Sequence, residues 1–188
     1  MNVLEHLEPK SVFRFFEEMC AIPHGSRNTK AVSDWCADFA RARGLEYHQD
    51  GDNNIIIIKE AAPGYEAAPP VILQGHLDMV CEQTADCQKD MSREGLDLAV
   101  DGDFVYAKGT TLGGDDGIAV AMALALLDAE GLPHPRLEAV FTVDEEIGLL
   151  GAASIDVTPL KGRQMLNLDS EAEGIFTVSC AGGNSSAC

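Results

Sequence analysis

What most restricts this chain is an alternation of short apolar runs with longer amphipathic or alanine-rich stretches. Asn54-Ile55-Ile56-Ile57-Ile58 is β-branched almost throughout and follows the turn-forming Asp50-Gly51-Asp52, which predicts a strand. Val71-Ile72-Leu73 is a short run of the buried-strand type. Leu137 to Val143, Met165 to Leu168 and Ile175 to Ser179 predict three more strands. Leu96 to Val100 and Phe104 to Ala107 flank Asp101-Gly102-Asp103, a hairpin signal. Between the strands lie helical stretches. Val12 to Cys20, with Pro9 and Ser11 near its start, reads as a short amphipathic helix. From Asn28 to Arg43, the residues Val32, Trp35, Cys36 and Phe39 recur at helical spacing, Asn28 or Thr29 can cap, and Gly44 stops the helix. Trp35 is assigned to the core. Gly117 to Glu130 is rich in alanine and leucine and predicts a third helix, and Leu149 to Ile155 a fourth. Strands alternating with helices imply an α/β layer structure with helices on both faces of a sheet. In open α/β sheets, ligands bind beyond the carboxyl ends of the strands. Chemistry is therefore expected in the segments just after these strands.

The charge balance narrows the partners. The 31 acidic and 13 basic residues leave a formal charge of −18, a field that repels phosphate backbones and attracts cations. Nucleic acid is thus not an expected partner. No apolar run is long enough to span a bilayer, so no membrane partner is expected either. The N-terminal MNVLEHLEPKSVFRFF carries Glu5 and Glu8 without a long apolar core and is not a signal peptide. The six cysteines, Cys20, Cys36, Cys81, Cys87, Cys180 and Cys188, form no CxxC pair. They are read as reduced, mostly buried thiols of a cytoplasmic protein.

Four segments at strand ends or helix starts carry residues of metal-ligand type. Gln74-Gly75-His76-Leu77-Asp78 follows one strand, and Gly113-Gly114-Asp115-Asp116-Gly117 precedes the alanine-rich helix. Asp144-Glu145-Glu146 and Asp169-Ser170-Glu171 follow two further strands. Each alone has a plain explanation: a core histidine, a helix cap, a solvated pair of glutamates, a turn. Their joint placement is harder to dismiss, because carboxylates that converge repel one another and are costly to bury unpaired. A bound dication removes that cost, and one histidine among carboxylates suits zinc or another first-row metal better than calcium. His76 and Asp78 are two residues apart, so on an extended strand they share a face, and Asp78 can accept the other ring N–H of His76. Glu145 and Glu146 are adjacent and cannot take the same role; one can bind metal while the other serves as general base.

The strings QGHLDMVCE, GTTLGGDDGIA, TVDEEIGLLGA, LNLDSE and SCAGG, with IPHGS near the N-terminus, resemble the aminoacyl-histidine dipeptidases of the dinuclear zinc exopeptidase superfamily, also called peptidase D or bacterial carnosinases. The resemblance runs through nearly all 188 residues. It implies a mixed, mostly parallel sheet flanked by helices, part of a zinc-exopeptidase-like catalytic domain. It implies two zinc ions per complete subunit, with cobalt or manganese as substitutes. His76 and Asp169 would bind one ion, Glu146 the other, and Asp115 would bridge them. Asp78 would orient His76. Glu145 would take a proton from the attacking water and return it to the leaving amine. A cis peptide between Asp115 and Asp116 is implied as well. Asp116 itself departs from the asparagine many members carry.

The implied reaction is hydrolysis of unblocked dipeptides, preferentially Xaa-His such as carnosine. A tripeptidase or acyl-amino-acid deacylase of the same superfamily, or an inactive metal-binding fragment, is the alternative. The family has a second zinc-binding histidine near its C-terminus, after a lid and dimerisation domain. No histidine follows His134 here, and His134 lies in the loop Leu132-Pro133-His134-Pro135, where a structural role is expected. Residues 1–188 are therefore read as the N-terminal part of the catalytic domain, inactive alone, with a homodimer expected of the full-length protein.

Overall fold

Val12, Phe15, Phe16, Met19 and Cys20 recur three and four residues apart, so a helix places them in one stripe, and all five are buried. In the computed structural model, which describes residues 2–170 and 174–179, they form the inner face of α1 (Lys10–Cys20). Helix α2 (Lys30–Ala42) buries Val32, Cys36, Phe39 and Ala40 in the same way, with Trp35 partly buried against them. Neither expected cap acts through its side chain: Thr29 makes no capping bond, and Asn28 donates Nδ2 to Ser92 O at 3.0 Å. At the other end Gly44, at φ +65°, lets the chain reverse while Leu45 N donates to Ala40 O.

The remaining elements are β1 (Glu46–Gln49), β2 (Ile55–Lys59), β3 (Val71–His76), β4 (Leu98–Asp101), β5 (Phe104–Ala107), α3 (Gly114–Asp128), β6 (Leu137–Thr142), α4 (Leu150–Ser154) and β7 (Gln164–Asn167). Five strands make one sheet in the order β1-β2-β6-β3-β7, and β4-β5 form a separate hairpin. Strand β3 is parallel to both β6 and β7, whereas β2 is antiparallel to β1 and β6. Only β2 is reversed, so the sheet is mixed and mostly parallel.

Strand β1 was not expected. Its sequence Glu-Tyr-His-Gln carries no apolar run, and it forms because β2 offers it a ladder at the sheet edge. Conversely, Ile175 to Ser179 form no strand. They are β-branched enough, but no partner strand pairs with them among the described residues, and Phe176 and Val178 are 89% and 95% exposed.

The two sheet faces are covered unequally. Ile55, Ile57, Leu73, Ala139 and Phe141 join α1, α2 and α3 in the main core. Ile56, Ile58 and Val140 face the other way, against Ile72, Ile155 and Leu160. Among the described residues that second face meets only the short α4 and the loop after it, a thinner cover than helices on both faces suggested. All four isoleucines of β2 are buried, and each such side chain contributes roughly 1.5–3 kcal/mol.

Of the cysteines, Cys20 and Cys36 are buried, Cys87 is half-buried and Cys81 is exposed; all four are free thiols. "Mostly buried" thus holds for two of them, and Cys180 and Cys188 lie outside the described residues. Burial pushes the Cys20 thiol up to about 12, with help from Glu17, and raises that of Cys36 further, which makes both inert. His134 is buried, and its Nδ1–H donates to Pro135 O at 2.7 Å, a structural role. No described helix is long and apolar enough to cross a membrane.

Candidate metal and catalytic site

Three neighbouring strands, β6, β3 and β7, run in one direction and end side by side. The residues at or just beyond their carboxyl ends are Asp144 to Glu146, His76 to Asp78, and Asp169. The start of α3 approaches from the helical face. There Asp115 (φ −81°, ψ 109°) and Asp116 (φ −115°, ψ 25°) are not helical, and the peptide between them is cis. The regular helix begins near Gly117, where the sequence placed it.

The approach of α3 to β3 depends on Gly75. A Cβ there would lie 2.7 Å from Asp116 Oδ2 and 3.2 Å from Ala119 Cβ. Without one, Asp116 Oδ2 accepts the His76 backbone N–H at 3.3 Å. Burial raises the Asp116 carboxyl to about 7, with Asp169 and Asp115 adding to the rise and His76 opposing it.

His76 is 1% exposed. Its Nδ1 lies 2.9 Å from the Asp78 carbonyl oxygen and 3.5 Å from Asp78 Oδ1. The carbonyl therefore accepts the Nδ1–H, and the carboxylate expected in that role is a close charged neighbour. Nε2 is then the ring nitrogen turned toward the carboxylates. It points at Asp115 Oδ1, 3.0 Å away, and at Glu145 Oε2, 3.9 Å away. Burial lowers the proton affinity of His76, but the Asp78, Asp116 and Asp115 carboxylates outweigh it and carry the imidazole to about 9.

Asp78 is 1% exposed and gathers donors. Oδ1 accepts Glu145 N–H at 3.0 Å; Oδ2 accepts Ser26 Oγ–H at 2.7 Å and Glu146 N–H at 3.4 Å. Burial alone would raise its pKa, but His76, Ser26 and the Glu145 amide hold it below the usual carboxylate value. Glu145 and Glu146 behave oppositely. Burial raises both; Asp169, Asp78 and Asp115 raise Glu145 further, and Asp115 and Glu145 raise Glu146.

All six residues expected at the site, His76, Asp78, Asp115, Glu145, Glu146 and Asp169, come together. Ligand atoms of His76, Asp115 and Glu146 lie within 4.8 Å of one another, as do those of His76, Glu145 and Asp169. These triplets do not reproduce the division of ligands implied by resemblance, in which His76, Asp115 and Asp169 share one ion. The donor set nevertheless fits a divalent cation: one imidazole nitrogen faces several carboxylates, and among the described residues no Lys or Arg pairs with them. Glu171 and the SCAGG segment beyond Ser179 lie outside the described residues. A cavity of about 710 Å³, lined by Arg43, Lys59, Asp128 and His134 among others, lies at the other end of β6 and holds none of this set.

No individual role was expected of Ser26 or Asp144. Ser26 meets Asp78 across 52 positions, and Asp144 Oδ1 accepts Arg27 N–H at 2.6 Å across 117. No local spacing signals such pairs.

The chain is 38% identical over 183 residues to the cytosol non-specific dipeptidase of Escherichia coli, covering 97% of this chain and 38% of that protein. Its structure matches that of aminoacylhistidine dipeptidase from Vibrio alginolyticus with a TM-score of 0.88 and 38% identity, over 91% of this chain and 35% of the other. A tripeptidase from Staphylococcus aureus matches with a TM-score of 0.71 at 22% identity, over 87% of this chain and 44% of that one, a likeness of fold alone. The chain thus spans under half the length of each. Peptidase family M20/M25/M40 is matched by residues 72–183, the stretch that carries His76, Asp78, Asp115, Glu145, Glu146 and Asp169, and the chain belongs to that family.

Proposed function

We propose that the protein carrying this chain hydrolyses unblocked dipeptides, preferentially Xaa-His, at a site holding two zinc ions. The observation that carries this reading is the convergence of one oriented imidazole and four carboxylates, Asp115, Glu145, Glu146 and Asp169, with no basic side chain among the described residues to neutralise them. His76, Asp115, Glu146 and Asp169 would hold the metal. When bound, such ions lower the pKa of water and polarise a carbonyl. The chain's own groups supply the rest. The family resemblance assigns the general base to Glu145, whose proton affinity burial raises as it does that of Glu146: its Oε2 takes a proton from the attacking water and returns it to the departing amine. Asp78 fixes the Glu145 and Glu146 amides and borders the ring it helps to orient.

The Xaa-His preference rests on likeness to the Vibrio enzyme and on the motif strings. The Escherichia coli relative's name, non-specific, favours a broader dipeptidase as the second reading. That name also supports a cytoplasmic location. A homodimer through a lid domain rests on the family resemblance alone. Assaying the intact enzyme on carnosine, Gly-His and Gly-Leu, before and after chelation, tests the proposal. Zinc-restored cleavage favouring the histidine peptides is expected. Turnover that survives removal of all metal would refute it, and equal rates on all three would leave only the broader reading.

A further inference from the structure

The loop from Ile22 to Asn28 contains IPHGS, a string that the reaction so far leaves without a role. It docks on both acidic loops. Gly25 forms a parallel bridge with Met79, Met79 N donates to His24 O at 3.1 Å, and Ser26 N donates to Met79 O at 3.4 Å. The packing is close: a Cβ on Gly25 would lie 2.6 Å from Cys81 Sγ. Arg27, at φ +65°, donates its backbone N–H to Asp144 Oδ1. Between these two contacts, Ser26 Oγ donates to Asp78 Oδ2 at 2.7 Å.

We propose that Ser26 is a positioning residue for this site, acting through Asp78; the inference rests on the metallopeptidase reading given above. An ionised carboxylate has about four lone-pair directions. In Asp78 the Glu145 and Glu146 amides take two, and a third faces His76 Nδ1 at 3.5 Å. Ser26 takes the fourth and is the one side-chain hydroxyl among the donors. Without it Oδ2 keeps only the 3.4 Å bond from the Glu146 amide, and the buried carboxylate can rotate about its Oδ1 contacts. Rotation would release the amides that aim Glu145 and Glu146 and shift the charge beside His76. The Ser26 hydroxyl bonds Asp78 and not the metal-facing side chains themselves, so its effect falls on metal retention and on kcat rather than on KM. Outer partners of metal ligands typically change affinity or activity by roughly 10- to 100-fold.

The test compares Ser26→Ala, Ser26→Thr and Asn28→Ala in the intact enzyme. Asn28 is in the same loop but bonds Ser92 O, away from the acidic residues. Zinc affinity is measured by competition with a chromophoric chelator, alongside kcat and KM on the best dipeptide. Ser26→Ala should lose about tenfold in zinc affinity and in kcat with KM nearly constant. Ser26→Thr should restore both, and Asn28→Ala should leave both unchanged. Normal zinc affinity and kcat in Ser26→Ala would overturn the inference. So would a rise in KM alone, or equal losses in Asn28→Ala, which would mean that the loop matters only for folding. If the unsubstituted enzyme neither binds zinc nor cleaves dipeptides, it is the metallopeptidase reading that fails, before Ser26 is tested.

Discussion

Glu145 and Glu146 are neighbours in the chain but face different groups: Glu145 gathers with His76 and Asp169, Glu146 with His76 and Asp115. The sequence required this divergence, since adjacent residues at a strand end cannot share one direction. Glu145→Gln should therefore lower turnover by roughly 10²–10⁴-fold while zinc content stays near normal. Glu146→Gln should lose zinc. Metal analysis of both purified variants checks this, and equal losses would reverse the assignment. At Gly75 the constraint is steric. Gly75→Ala drives a methyl against Asp116 Oδ2 and Ala119 Cβ, both on α3. It should cost about 1–3 kcal/mol in urea unfolding, with a matching loss of zinc affinity because Asp116 and Asp115 move together. No pattern around Gly75 announced this; the glycine reads as an ordinary residue after a strand until α3 is laid on it.

Among the elements, β6 carries an unexpected charge. Glu138 is 0% exposed in the middle of the sheet. Its carboxylate accepts from Arg136 Nε at 2.7 Å and from the Lys161 and Gly162 amides, each at 2.9 Å. It thereby pins the loop that leads into β7, and so the position of Asp169. Burial alone would raise its pKa, but Arg136 and the two amides hold it below the ordinary glutamate value. Because the folded-state pKa is depressed, the stabilisation is complete above the ordinary value of 4.5 and is lost as pH falls through the folded value. Melting curves of Glu138→Gln and the parent should thus differ most above pH 5, by about 3 kcal/mol, and converge on acidification. A gap that stays constant through acid would mean that Glu138 acts by packing alone. A strand-period reading makes Leu137 to Val143 a strand because its other residues are mostly apolar, and it cannot see that one buried acid is answered by Arg136 and a distant loop. The same limit explains β1, a polar segment recruited by its neighbour, and residues 175–179, an apolar segment without one.

At the scale of the molecule, the second sheet face matters most. Leu149, Val157 and Met165 are 55–60% exposed around the groove that ends at Glu145 and Asp169, and β7 has no partner on its outer side among the described residues. Residues 1–188 studied alone should self-associate through this face and edge, seen as concentration-dependent sedimentation. They should also bind zinc weakly, without two tight sites by calorimetry, since His76 is the single imidazole in the set. Two tight sites would show that the histidine-poor donor set suffices. Most of the strands and helices, the gathering of His76 with the acidic residues, and the family were written in local patterns: periodicity, turn residues, and motifs at strand ends. Those patterns work because a strand or helix must hide its apolar side, and an α/β sheet leaves its carboxyl ends open to ligands. Only the tertiary structure decided that Nδ1 of His76 is held by a carbonyl, that Ser26 and Arg27 reach across to Asp78 and Asp144, and that α3 fits over Gly75. Each of these joins residues far apart in the chain, where hydrogen-bond geometry and packing, not local preference, select the partner.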